Sequence, residues 1–258
     1  MENKEYGSII GSRSAPYINS LAGSYVLLTR AYAVSHPSLP NYLALTSGST
    51  HGLRSNCTTC YKNGRNIVDQ LAAHHMGWKA YMQSMPRACF TGSSAGRGSQ
   101  QYAKRHNPFM YYNDVRTNAA RCHRVVPFTR FPGDLRRGLP RFAWITPNLC
   151  NDMHSCSVAT GDAFLRAWIP RILPKLGPRG ILILAFDEGF THAGCCGVRS
   201  GGGHVAAVIA GPGAKQGVQL ARSVNHYSIL RLIERAWGFA ALGHARARRT
   251  PSIIGWSR

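Results

Sequence analysis

Ile181 to Phe186 is an unbroken apolar run, Ile-Leu-Ile-Leu-Ala-Phe, entered from Gly180 and left directly onto two carboxylates, Asp187 and Glu188. Such a run reads as a strand buried on both faces, because a strand open to water on one face alternates apolar with polar residues. Both faces are covered only when helices pack above and below. The run therefore points to an α/β fold with a mainly parallel sheet sandwiched by helices. Neighbouring patterns agree: Tyr25–Val34, Trp78–Met82, Phe142–Thr146 and His204–Ala210 read as further strands. Helices are predicted over Ala15–Leu21, Asn66–His75, Gly161–Leu176 with a kink at Pro170, and His226–Trp237. The 258 residues suit a single domain, 1–258. The stretch from about 86 to 140, rich in Gly, Ser, Asn and Arg, is expected to form a loop-rich, cap-like insertion.

In sheets of this kind ligands bind beyond the carboxyl ends of the strands, so chemistry is sought just after each apolar run. Asp187 and Glu188 stand at such a place, and two carboxylates this close repel unless a cation lies beside them. A divalent metal ion is the simplest partner, and Mg²⁺, Ca²⁺, Mn²⁺ and Zn²⁺ all suit oxygen ligands. After Phe142–Thr146 comes a loop that bunches Asn148, Asp152 and His154 between Cys150 and Cys156. An imidazole there can donate a proton to a leaving alkoxide or bind a metal. A third place is Ser200-Gly201-Gly202-Gly203-His204, a glycine run entering a strand.

The stretch His36-Pro37-Ser38-Leu39-Pro40-Asn41 places a hydroxyl at the start of a helix, with Pro40 taken as the first helical residue. Free N–H groups and the positive end of the helix dipole favour an anion at that point. Ser38 is thus a candidate nucleophile, the alternative being a helix cap.

Charge adds a constraint: Lys and Arg number 31 against 10 Asp and Glu, a net +21. Such a chain is attracted to phosphate esters, nucleic acid or anionic surfaces, but its scattered basic residues form no nucleic-acid-binding module. Eight cysteines suggest an oxidising, secreted or cell-envelope location, whereas Met1 to Glu5 lack the features of a signal peptide. Cys57 and Cys60 are expected to form a short-loop disulfide, and the adjacent Cys195 and Cys196 to bond to different partners. No apolar run approaches the roughly 18 residues of a membrane span.

Together these segments resemble the phosphoesterase family of secreted acid phosphatases and bacterial phospholipases C, within the alkaline-phosphatase superfamily. The resemblance is carried by Met1-Glu2-Asn3, Ala15 to Leu21, His36 to Gly48, His106-Asn107-Pro108-Phe109, Ile145 to His154, Asp187-Glu188-Gly189, Gly202 to Val205 and His226 to Arg231. It implies a phosphate monoesterase working through a phosphoserine intermediate. Glu2, Asn3, Asp187 and Glu188 would bind the metal ion that also touches Ser38. Asn41 would hold a phosphoryl oxygen, His154 would serve as general acid or phosphate ligand, and His106 and His204 would line the pocket. Alternatives are a phospholipase C-like phosphodiesterase, or a catalytically weakened basic protein binding nucleic acid or anionic surfaces. Family members carry an apolar strand before the Glu-Asn pair, so part of the first strand is expected to be missing here. Glu2 and Asn3 are then expected on a poorly ordered end.

Overall fold

A computed structural model describes residues 1–258. Its strands are β1 (Val26–Leu28), β2 (Ala31–Tyr32), β3 (Trp78–Met82), β4 (Ser94–Ala95), β5 (Tyr102–Ala103), β6 (Val125–Pro127), β7 (Phe142–Thr146), β8 (Leu182–Ala185), β9 (His204–Val205), β10 (Ala207–Ala210), β11 (Val218–Leu220) and β12 (Val224–Asn225). The α-helices are α1 (Tyr6–Ile9), α2 (Pro16–Ser24), α3 (Ser38–Ser47), α4 (Ile67–Ala73), α5 (Asn113–Arg116), α6 (Ala119–Cys122), α7 (Phe131–Arg137), α8 (Val158–Ile172) and α9 (His226–Ala236).

The α/β architecture predicted from the apolar runs is present. Four strand pairs are parallel: β3 lies between β6 and β7 and is parallel to both, while β1 is parallel to β11 and β2 to β12. Antiparallel pairing enters at β10, against β1 and β8, at β9 against β2, and in the β4–β5 hairpin. Tyr25–Val34 does not remain one strand. The chain turns at Thr29 and Arg30, because β1 is held by β10 and β11 whereas β2 is held by β9 and β12. β7 and β8 each pair along one edge only.

Residues 86–140 are less separate than a cap. They supply β6 to the sheet beside β3, and Phe109, Met110, Tyr111 and Tyr112 are buried in the core with Leu39, Leu43 and Trp78. Lys104 is buried there too, its Nζ donating to the Thr58 carbonyl at 2.8 Å and lying over the Tyr61 and Tyr111 rings. The second large cluster joins Ile18 of α2, Leu165 and Ile169 of α8, and Val26, Leu28, Val208 and Ile209 of the sheet.

Helix ends are set by specific caps. Ser157 caps α8, which therefore begins before the predicted Gly161 and carries Pro170 inside it. Asn225 caps α9 through a reciprocal bond with Ser228. α2 has no cap from its own flank; instead the buried Asp162 of α8 accepts from the backbone N–H of Tyr17 at 3.1 Å and of Ile18 at 2.8 Å. That contact joins the two helices and places a carboxylate at a helix N-terminus.

The eight cysteines form four disulfides, Cys57–Cys60, Cys89–Cys122, Cys150–Cys156 and Cys195–Cys196. The expectation for the adjacent pair is thus corrected: Cys195 and Cys196 bond to each other, with the backbone at Cys196 in the left-handed region (φ 61°). No helix is long and apolar enough to cross a membrane.

Candidate active site

Ser38 is the first residue of α3 and is 2% exposed. The helix starts two residues earlier than the proline signal suggests, so Pro40 is its third residue, where a missing N–H still has no intrahelical partner to lose. The Ser38 hydroxyl does not cap the helix. It donates across 2.9 Å to Oε1 of Glu188 and lies 3.2 Å from Oε2 of Glu2. α3 is seated by the core through Leu39 and Leu43, so the hydroxyl is held by packing as well as by its acceptors.

Asn41 clamps the loop in front of the helix. Its Oδ1 accepts from the backbone N–H of Val34 and Ser35 at 3.0 and 3.1 Å, and its Nδ2 donates to the Ser35 carbonyl at 2.7 Å. Gly202 lies against the same loop: a Cβ there would stand 2.1 Å from the Ser35 carbonyl oxygen, so the second glycine of the Gly-Gly-Gly run is required for close approach.

Glu2 and Glu188 reach Ser38, and Asp152 and Asp187 lie beside Glu2; the four carboxylates are 0% (Glu2), 5% (Glu188), 0% (Asp152) and 2% (Asp187) exposed. The chain start is tied down rather than frayed. The Met1 amino group donates to the Ala185 carbonyl at 3.0 Å, Glu2 N–H to Asp152 carbonyl at 2.8 Å, and Lys4 N–H to Glu188 carbonyl at 3.1 Å. Asn3 joins through its backbone, donating to Asp187 Oδ1 at 3.1 Å. Glu2 is held further by the Tyr42 hydroxyl, one helical turn after Ser38.

His106 stands between two of these acids, with Nε2 3.3 Å from Glu2 and Nδ1 3.2 Å from Asp152. Ligand atoms of Glu2, His106 and Asp152 lie within 4.8 Å of one another. Burial, then repulsion from Asp187 and Asp152, pushes the Glu2 carboxyl well above the usual range. Burial and then Asp187 likewise push Glu188 up, against the hydrogen bonds from Ser38 and His36. Asp187 Oδ2 is buried with no hydrogen-bond partner. A group of buried acids with one oxygen unpartnered is the donor set a hard divalent cation satisfies, so these residues fit a metal ion.

At the rim, Arg105 donates to Nε2 of His154 at 3.2 Å, and the His154 ring lies 5.7 Å from that of His106. Burial and then Arg105 lower the His154 pKa. His204 does not join the site: it is stacked between Tyr6 and Tyr32, with Nε2 2.9 Å from the Thr29 carbonyl. Its place on β9 turns the ring toward those tyrosines. His36 does join, pairing through Nδ1 with Glu188. His36 and Tyr42 lie inside the His36 to Gly48 stretch without a role assigned from sequence, and Arg105 lies outside every motif. Helical spacing from Ser38 would have exposed Tyr42; only the fold brings in Arg105.

A family model described as the phosphoesterase family matches residues 11–240. A phosphatidylinositol-3-phosphatase of Mycobacterium tuberculosis is 32% identical over 253 residues, spanning 95% of this chain and 77% of that protein. An acid phosphatase of Aspergillus fumigatus is 30% identical and is matched by 94% of this chain. The chain spans only 54% of the length of that fungal relative. A solved structure of an alkaline phosphatase superfamily protein from Vibrio parahaemolyticus shares the fold, at a TM-score of 0.61 and 14% identity over 93% of this chain and 66% of its own. With its motifs, site and sequence in agreement, the chain belongs to the phosphoesterase family.

Proposed function

We propose that this chain hydrolyses phosphate monoesters with Ser38 as nucleophile and a divalent metal ion held by Glu2, Asn3, Asp187 and Glu188. The observation that carries the reading is the Ser38 hydroxyl, buried at a helix start and within hydrogen-bond distance of two carboxylates 186 residues apart in the chain, Glu2 and Glu188. A bound divalent cation lowers the pKa of a coordinated hydroxyl and offsets charge on a phosphoryl group. Ser38 Oγ attacks phosphorus, the bond to the ester oxygen breaks, and the alcohol leaves with a proton. Water then cleaves the phosphoserine.

Other side chains hold this arrangement. Tyr42 and His106 orient Glu2, and His106 is steadied by Asp152. Asn41, with both ends of its amide taken by loop backbone, positions Ser38 rather than a phosphoryl oxygen. Arg105, held at the rim by its bond to His154 Nε2, supplies N–H donors for the phosphoryl and leaving oxygens. The relatives' names, an acid phosphatase and a phosphatidylinositol-3-phosphatase, support monoester chemistry. Tyr111 and Tyr112 are buried in the core and so do not form an aromatic head-group cage of the phospholipase C kind. The four disulfides favour an oxidising compartment.

The test is removal of metal by a chelator followed by readdition of Mg²⁺, Ca²⁺, Mn²⁺ or Zn²⁺, with 4-nitrophenyl phosphate as substrate. Turnover lost on chelation and restored by one ion supports the reading; full turnover of the metal-free protein contradicts it.

A further inference from the structure

His226, the first residue of α9, is 1% exposed and lies against the strand end that carries Asp187 and Glu188. Its Nε2 is 3.1 Å from the carbonyl oxygen of Phe186, the residue before Asp187. Burial lowers the pKa of the ring to about 4, so it is neutral, and its one N–H is the one that faces this oxygen. Nδ1 is buried with no hydrogen-bond partner. A side chain kept for packing alone would avoid burying an unpaired lone pair, so the donor at Nε2 accounts for the histidine.

The bond completes a clamp on one peptide unit. The Phe186 C=O and the Asp187 N–H are the two ends of a single plane, held from one side by the His226 ring and from the other by the Met1 carbonyl at 2.9 Å. On either side of it Phe186 N–H donates to the Ala206 carbonyl at 3.3 Å and Gly189 N–H to that of Gly202 at 2.6 Å. α9 also seats the nucleophile: Leu230 packs in one cluster with Leu39 and Leu43 of α3, and Tyr227 in another with Ala44 of the same helix. The start of α9 is fixed in turn by the Asn225 cap and by the pairing of Asn225 with Tyr32. One helix thus touches both the Ser38 helix and the peptide that carries Asp187.

Resting on the metal-dependent reading, we propose that His226 is a positioning residue: by holding the Phe186 carbonyl it fixes the peptide that aims Asp187 and Glu188 at the cation, and through α9 it sets their distance from Ser38. It touches neither substrate nor metal. Residues that orient metal ligands in this way are worth about 10- to 100-fold in metal affinity or activity.

The experiment measures Mn²⁺ and Ca²⁺ binding by calorimetry, and amide exchange of the peptide containing Asp187 to Gly189 by mass spectrometry, in wild type, His226→Leu and His226→Gln. Glutamine returns an N–H donor near the place of Nε2. His226→Leu is expected to weaken ion binding and to speed exchange of this peptide, each about tenfold or more, and to lower kcat for 4-nitrophenyl phosphate with KM little changed; His226→Gln recovers each to within about threefold. Asp162→Ala, destabilised far from the site, keeps wild-type ion affinity and separates positioning from general loss of stability. Ion affinity and exchange unchanged in His226→Leu, or losses equalled by Asp162→Ala, overturn the proposal. If His226→Leu does not fold, His226→Asn, whose amide stops short of the Phe186 oxygen, is set against His226→Gln: ion binding about tenfold weaker in the asparagine protein sustains the proposal, and equal binding overturns it. If the wild type binds neither ion, the metal reading fails separately, and positioning is judged by exchange of the Asp187 peptide alone: acceleration in His226→Leu reversed in His226→Gln sustains it, and equal rates overturn it.

Discussion

The Ser38 hydroxyl and the Glu188 carboxylate, 150 residues apart in the chain, meet across 2.9 Å. The start of α3 and the end of β8 are thereby brought to one edge of the sheet, where Glu2 also reaches Ser38. The acids around this contact repel one another, while the loop and helix bonds that surround them hold the hydroxyl in place.

Asn41 is central to that loop. Asn41→Ala leaves the Val34 and Ser35 N–H groups without their acceptor in a buried setting, and is expected to destabilise the protein by about 3 kcal/mol in urea unfolding. Turnover should fall with it, through displacement of Ser38. Unchanged stability would show that the loop does not depend on this amide.

Asp162 offers a test far from the chemistry. Asp162→Ala removes the only side-chain cap of α2 and should lower stability by about 2 kcal/mol, with kcat little altered. Asp162→Asn, which keeps one acceptor oxygen, should recover part of the loss. Equal midpoints for the wild type and Asp162→Ala would contradict the cap.

Glu234 predicts a pH dependence. Burial raises its carboxyl from the usual 4.5 to about 7, against hydrogen bonds from Leu242 N–H and Gln70. The folded state keeps this proton where the unfolded chain has released it. Its contribution is therefore full below pH 4.5 and lost as pH rises through 7. The loss amounts to about 3 kcal/mol. Unfolding midpoints measured from pH 4.5 to 7.5 should fall less in Glu234→Gln than in the wild type, and parallel curves would remove Glu234 as a cause.

Where burial is set by a local pattern, the sequence was readable. Trp78–Met82 and Phe142–Thr146 form strands at the predicted residues, and Asp187-Glu188 stands at the strand end where ligands are sought. What escaped depends on contacts remote in sequence. Tyr25–Val34 breaks in two because different strands claim its halves, and Asp162 caps a helix 144 residues away. His204 carries the right side chain on the wrong wall, stacked on Tyr6. Arg105 reaches the site only because residues 86–140 fold into the core.

The central claim is that Ser38 carries the phosphoryl group. Rapid acid quench of the protein with a monoester substrate, followed by mass spectrometry of the peptide containing Ser38, measures this directly. One added phosphate on Ser38, absent from Ser38→Ala protein that has also lost about a thousandfold in kcat, is the predicted result. Full turnover by Ser38→Ala, or a phosphate trapped on another residue, would contradict the account.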